Sequence, residues 1–533
     1  MTETADLIVI GAGFAGLYAV HLAASAGLSV IALEAAPDVG GTWYWNRYPG
    51  ARCDVESVDY SYSFDEGLQR SWTWSERFAA QPEILAYLRH IADHFELRRH
   101  YRFGVDVVGA AFDSDSGRWQ VRSAAGETFA AQFLCCATGC LSAVNRPNID
   151  GIDDFAGDVY FTAAWPREDP DLSGKRVGLI GTGSSGIQVA PIIAAQARNL
   201  VVFQRSANYT IPMPNRPWSA EEWRQIQEEY PERRRMAAYA SAGTPHAPYH
   251  KKAVETEPQE RAQALWERWR EGGVLFAKTF PDQSSDLAAN DIAREFAEER
   301  IREIVDDPAV AADLIPVDHP IGAKRICTDA GYYAMFNRDD VTLVNLRREP
   351  IDAITADGIR TNATTYPCDV LIFATGFDAM TGALTRIDPT GPGGERLSDI
   401  WADGPVTFLG LMVPGLPNLF TISGPGSPSV LANMVLHAEV QVEWVIDLML
   451  AARRLGLSEV EPRRDAAGAW TDHVAHAAEQ TLFPKAASSW YLGSNIEGKK
   501  RVFMPYIGGF GNYRRHCEDV ARDNYAGLVL TTR

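Results

Sequence analysis

Cysteine is scarce in this sequence, and long apolar runs are missing. Seven cysteines among 533 residues (Cys53, Cys135, Cys136, Cys140, Cys327, Cys368 and Cys517) are too few and too scattered to staple a fold with disulfides. No two are spaced C-x-x-C, which argues against a zinc site and a dithiol reductase, so no metal centre is expected. Their odd number suits reduced thiols, and a cytoplasmic location is expected. No stretch approaches ~18 uninterrupted apolar residues, so no membrane span is expected. The opening MTETADLIVIGAG has no basic residue before its apolar run, which argues against a secretion signal. Positive charge is also in deficit: 50 Lys and Arg against 69 Asp and Glu leave a net of −19. Such a chain is a poor general partner for nucleic acid or anionic lipid, although local basic pockets for phosphate are compatible with it.

What remains is ordinary globular composition, 46% hydrophobic and 22% charged, which excludes collagen-like, coiled-coil and disordered chains. Domains of ~100–200 residues imply about three of them. Folded as one body, a chain of this size buries roughly three quarters of its unfolded surface, so the core needs no disulfide or metal.

Two segments read as strand, glycine turn, helix. Residues 7–10 (LIVI) precede Gly11-Ala-Gly13-Phe-Ala-Gly16 and a helix to about residue 26. Residues 176–180 (RVGLI) precede Gly181-Thr182-Gly183-Ser184-Ser185-Gly186 and a helix over 187–195. Two later strands, 133–139 and 370–378, each carry Ala-Thr-Gly at the C-terminal edge, where backbone can approach a dinucleotide closely. The order of these four features implies one domain inserted into another. The expected fold is α/β, with two Rossmann-like dinucleotide-binding domains. The first comprises 1–140 and 376–533, and the second 153–213 and 325–375 with a helical insertion over 214–324. Within that insertion Glu232-Arg-Arg-Arg235 reads as a solvated helix face rather than a docking patch.

In each turn the glycines allow the tight bend, the approach of pyrophosphate to a helix N-terminus, and helix–strand packing. About 20 residues on, the first unit presents Glu34, a carboxylate that accepts from ribose hydroxyls and repels a 2′-phosphate, suiting FAD or NAD. The second presents Arg205, whose guanidinium grips a 2′-phosphate in bidentate fashion and suits NADPH; a surface ion pair is the alternative. Thr182, Ser184 and Ser185, inside the second turn, join it as candidate NADPH contacts. FAD in one site and NADPH in the other describe a flavoprotein that takes hydride from NADPH.

Residues 40–54, GGTWYWNRYPGARCD, resemble the fingerprint of type I Baeyer–Villiger monooxygenases, matching at Gly40, Gly41, Trp43, Tyr48, Pro49, Gly50 and Asp54. The resemblance extends over nearly the whole chain, including KRICTDAGYY and ATGFDA. Over residues 424–434 it is most similar to phenylacetone monooxygenases, which have a longer active-site loop there than cyclohexanone monooxygenases. A second family fingerprint, F-x-G-x(3)-H-x(3)-[WD], reads FAGDVYFTAAW here: Phe155, Gly157 and Trp165 match, followed by Pro166, but Phe161 replaces the histidine. Phenylalanine cannot make the hydrogen bonds of an imidazole, which puts the coupling of the two half-reactions in question.

The resemblance implies that NADPH reduces FAD, that reduced flavin and O2 give a C4a-peroxyflavin, and that this attacks a ketone to yield an ester or lactone. Arg325 would stabilise the peroxide and the tetrahedral intermediate, with Asp54 orienting it. A non-titrating cation fits, because a proton donor would weaken the peroxide as nucleophile. Lys324 would join Arg205 on the 2′-phosphate, Trp490 would close a loop over NADP+, and Met434 would meet the flavin through its backbone. The resemblance also implies Gln188 and Ser206 as NADPH contacts, and Gly41, Thr42, Trp43, Asp54 and Tyr60 as FAD contacts. Cys140, Leu141, Ser429, Val430 and Leu431 align with substrate-lining positions, and Phe377 is a further pocket candidate. His437 reads as a hydrogen-bonded core histidine rather than a base. The expected partners are a small ketone and O2, with the chain a monomer or weak homo-oligomer. An N- or S-oxygenating monooxygenase, an uncoupled NADPH oxidase and a flavin-binding sensor are the competing readings.

Overall fold

The computed structural model describes residues 2–532. Two sheets organise it. In the first, Tyr101–Phe103, Val30–Glu34, Glu3–Ile10 and Thr128–Cys136 lie side by side in parallel. Arg118–Ser123 and Val107–Asp113 extend this sheet as an antiparallel meander, and Leu419–Thr421 returns from far along the chain to pair with the upper half of Thr128–Cys136. The second sheet is wholly parallel, in the order Val341–Asn345, Asn199–Gln204, Arg176–Ile180, Val370–Phe373, Asp158–Phe161. Parallel sheets are covered on both faces, and Val30–Glu34 and Val370–Phe373 are buried at every residue.

The chain crosses between the two sheets twice, and the crossings run side by side. Asn145 N donates to Gly376 O at 3.0 Å, Asp378 N to Ala143 O at 2.9 Å and Met380 N to Cys140 O at 2.9 Å. The helical segment leaves after Thr210–Pro212 and returns at Cys327–Asp329, two short strands that pair in parallel. Its first helix, Ala220–Ala237, opens on a Ser219/Glu222 capping box.

That helix corrects the expectation of a solvated charge run. Trp223 and Tyr230 pack into the core of the first domain. Arg233 pairs with Asp59 at 2.6 Å and Glu56 at 2.9 Å, and Arg234 donates to Ser61 Oγ at 2.8 Å. Only the Arg235–Glu232 pair is solvated. Farther along, the segment builds its own core of Trp269, Phe276 and Phe296, and Ile301, Val305 and Leu314 pack into the core of the second sheet.

Helix Met434–Leu455, buried along most of its length, packs against helix Phe14–Ser25. His437, on its first turn, was expected to be hydrogen-bonded; neither ring nitrogen has a protein partner among the described residues. Burial pushes its pKa down to about 3, so it stands as a neutral ring edge-on to Phe510 and Tyr513. All seven cysteines are free and buried. Among the described residues no helix is long and apolar enough to cross a membrane.

Candidate active site

The two glycine turns are built alike. Gly11, at φ +114°, would place a Cβ 2.4 Å from Ala137 O, and Gly181, at φ +108°, would place one 2.5 Å from Ala374 O. Each turn thus rests on the Ala-Thr-Gly strand end of its own sheet, which is why both motifs recur in pairs. Gly16 and Gly186 would strike the first glycine's carbonyl at 1.9 and 2.2 Å, so they serve helix–strand packing. The middle glycines differ: a Cβ on Gly183 meets nothing within 4 Å, and one on Gly13 meets only Gly41 Cα at 3.5 Å. Both helices begin there with no side-chain cap, so no side chain among the described residues accepts from their first backbone N–H groups.

Beside the first turn the buried Glu34 carboxylate accepts from Ala12 N and Ala36 N, both at 2.7 Å. Burial pushes its pKa up against those donors. Thr42 is exposed at the start of the short helix Thr42–Trp45, and Gly41 faces Gly13. Trp43 is buried and donates through Nε1 to Tyr60 Oη at 3.2 Å.

Beside the second turn Arg205 is exposed, and no acidic side chain pairs with it among the described residues. Thr182 Oγ1 donates to Ser206 O at 2.9 Å, and Ser184 and Ser185 reach Cys327 Sγ and Thr162 Oγ1. Ser206 Oγ donates to Asp318 at 2.9 Å, and Lys324 lies 3.6 Å from the same carboxylate. Arg347 and His319 also bond Asp318. Burial would raise the Asp318 pKa, but His319 and Lys324 hold it well below the usual carboxylate range. Sequence reasoning missed Asp318 and Arg347. Arg347 follows the strand that pairs with Asn199–Gln204, so an arginine just past that sheet edge was the available signal.

The 40–54 segment ties the two domains together. Trp43, Tyr44 and Cys53 belong to the first core, whereas Tyr48 and Ala51 belong to the second. Tyr48 donates to Gln188 Oε1 at 2.8 Å, and Gln188 Nε2 donates to Arg52 O at 3.2 Å. A Cβ on Gly50 would lie 2.8 Å from Gln188 O. Gln188 therefore directs its amide at this loop.

At the end of the segment Asp54 meets Arg325. Arg325 Nε donates to Oδ2 at 2.6 Å and Nη2 to Oδ1 at 2.7 Å, while Nη1 donates to Val430 O at 2.6 Å. Burial works against the charge, but the Asp54 carboxylate outweighs it and holds the guanidinium pKa above its ordinary value. The side chains remain 24% and 19% accessible, so the pair faces a cleft rather than a sealed core. Around it Cys140, Leu141, Val430, Leu431, Met434 and Trp490 pack as one apolar cluster. Burial pushes the Cys140 thiol pKa up, which disfavours a thiolate. Ser429, at φ +45° and fully buried, turns its hydroxyl to Ser423 O and Met380 Sδ and also bonds the Cys140 thiol. Phe377 sits at the crossover, its carbonyl accepting from Asn495 at 2.9 Å. Phe161 stacks on its register partner Phe373, ring centres 5.1 Å apart.

The family description "Flavin-binding monooxygenase-like" matches residues 4–215. A Baeyer–Villiger monooxygenase of Pseudooceanicola batsensis is 42% identical, over 98% of this chain and 96% of its own. This chain belongs to the Baeyer–Villiger monooxygenases. Within that family it is also similar to cyclohexanone 1,2-monooxygenase of an Acinetobacter species, at 39% identity over 98% of this chain and 96% of the relative. Among solved structures, an oxidised steroid monooxygenase bound to NADP is 52% identical and covers all of both chains with a TM-score of 0.95.

Proposed function

We propose that this monooxygenase binds FAD and NADPH and inserts one oxygen atom of O2 beside a ketone carbonyl, giving an ester or lactone. The observation that carries the reading is Arg325, held by Asp54 at the end of the segment that joins two cores, each with its own glycine turn. The first cradle fits FAD: Gly13 and the uncapped helix start would take the pyrophosphate, and Glu34 the ribose. The second fits NADPH: Gly183 and its uncapped helix would take the pyrophosphate, and Arg205, Ser206 and Lys324 the 2′-phosphate. When bound, the flavin supplies hydride acceptance and O2 activation.

The chain supplies position and charge. Arg325 is cationic at every working pH, so it stabilises the ketone oxygen as negative charge develops there without giving up a proton. Asp54 fixes the fork in two directions and Val430 O in a third, so little reorganisation remains for the reacting step. Trp490 and Leu431 present apolar surface that excludes water from the cleft. We assign the FAD domain to 1–140 and 376–533 and the NADPH domain to 153–213 and 325–375, with 214–324 as its insertion. The reduced, buried thiols suit a cytoplasmic location.

Incubation of FAD-loaded protein with NADPH, O2 and, in turn, phenylacetone, cyclohexanone and a steroid ketone tests this. The reading predicts ester or lactone in proportion to NADPH consumed. Hydrogen peroxide matching NADPH, with every ketone recovered unchanged, would point to an oxidase.

A further inference from the structure

A cavity of about 140 Å³ opens beside Leu431, walled by Ile321, Ala323, Pro428, Tyr506 and Phe510, with Lys278 in its lining. It adjoins the proposed reaction centre on two sides: Leu431 follows Val430, whose carbonyl holds Arg325, and Ala323 lies two residues before Arg325. Lys278 ends the turn Val274–Lys278, and its carbonyl is in hydrogen-bond contact with His246 at 3.3 Å.

The ammonium has no carboxylate partner among the described residues. The neighbouring cations do: Arg325 has Asp54, and Lys324 has Asp318. The Asn290 and Thr481 side chains in the wall are already engaged. Asn290 donates to Gln283 O and Ile321 O, both at 2.9 Å, and Thr481 Oγ1 donates to Ala478 O at 2.7 Å. An unpaired cation in an apolar wall is costly, and this chain, with 69 acidic residues, places none of them against it. Burial and the Arg325 charge lower its pKa to about 8, so the ammonium still predominates at neutral pH. A cavity near this size, about 150 Å³, takes a benzene ring, so there is room here for one ring or a short chain.

We propose that Lys278 is a specificity-determining residue that pairs with a carboxylate on the substrate, at the end remote from the reacting carbonyl. The preferred substrates are then keto acids rather than neutral ketones. This deepens the oxygenation reading above and rests on it.

The test uses FAD-loaded full-length enzyme, NADPH and methyl ketones ending in a carboxylate, from 4-oxopentanoate to 10-oxoundecanoate, each beside its methyl ester. At the best chain length kcat/KM for the acid exceeds that for the ester by about tenfold or more, mostly through KM, as one charge-assisted pair implies. Lys278→Met brings the acid-to-ester ratio to about one, Lys278→Arg keeps most of it, and FAD content shows that both variants fold. The proposal is overturned if no acid outperforms its ester in the native enzyme, or if the preference survives Lys278→Met. If neither acid nor ester is oxygenated, the oxygenation reading fails separately. Titration of octanoate against the flavin absorbance then decides the Lys278 claim: binding about tenfold weaker in Lys278→Met supports it, and equal binding refutes it.

Discussion

Asp54 and Arg325 stand 271 positions apart in sequence and meet through two parallel hydrogen bonds of 2.6 and 2.7 Å. Asp54 closes the loop that threads both cores, and Arg325 opens the return from the helical segment into the second domain. The pair therefore fixes a cation at the end of the segment shared by both cores.

Replacing Arg325 tests that arrangement. Arg325→Lys keeps the charge but loses the planar fork, and Arg325→Ala loses both. Each is expected to lower ester formation by about 100-fold or more, the scale for removing a positioned oxyanion donor. NADPH should then be consumed with release of peroxide, measured by chromatography of the ester beside a peroxide assay.

Arg205 is the exposed cation of the second cradle, whereas Lys324 and Arg347 are partly neutralised by Asp318. Arg205→Ala should lower kcat/KM for NADPH by about 10- to 100-fold, the range for a charge-assisted phosphate contact. Use of NADH, which has no 2′-phosphate, should change by about twofold at most. Equal losses with both nucleotides would place Arg205 outside the phosphate site.

The glycines of the second turn separate folding from binding. A Cβ on Gly186 would lie 2.2 Å from Gly181 O, so Gly186→Ala should lower the yield of folded protein and its Tm. A Cβ on Gly183 meets nothing within 4 Å, and its φ of −83° is open to any residue. Gly183→Ala should keep the native Tm and FAD content while raising KM for NADPH about tenfold or more, because on the proposed reading the methyl would occupy the pyrophosphate's approach.

Much of this was legible locally. The glycine spacing, Glu34 and Arg205 are each fixed by a single strand–turn–helix unit, where short-range sterics and charge decide the structure. The Asp54–Arg325 pair was legible only through resemblance, since neither residue carries a local signal for the other. Arg233 and Arg234 were misread because their partners, Glu56, Asp59 and Ser61, lie more than 170 residues earlier. Asp318, Arg347 and Lys278 were missed for the same reason: an isolated charge on a loop looks solvated until the opposing wall is known. His437 was misread because a polar residue on an apolar helix face normally finds a partner, and here aromatic rings surround it.

Glu439 gives a pH signature. Buried against the first core, its pKa is pushed up to about 7 by burial, in spite of hydrogen bonds from Ser63. A carboxyl raised above its unfolded value of 4.5 stabilises the fold relative to its ionised form below that value. That contribution is lost as pH rises toward 7, at about 1.4 kcal/mol per unit. Glu439→Gln should therefore gain Tm relative to the native enzyme between pH 5 and pH 7, with the difference level above about pH 8. A Tm difference independent of pH would contradict this.

The central claim is transfer of one oxygen atom from O2 into a ketone, and 18O2 tests it most directly. The native enzyme is incubated with NADPH, cyclohexanone and phenylacetone under 18O2, and labelled product, peroxide and NADPH are counted together. The account predicts one 18O in the bridging oxygen of the ester or lactone for each NADPH consumed, with little peroxide despite Phe161. Unlabelled ketone recovered in full, with peroxide equal to NADPH, would contradict it.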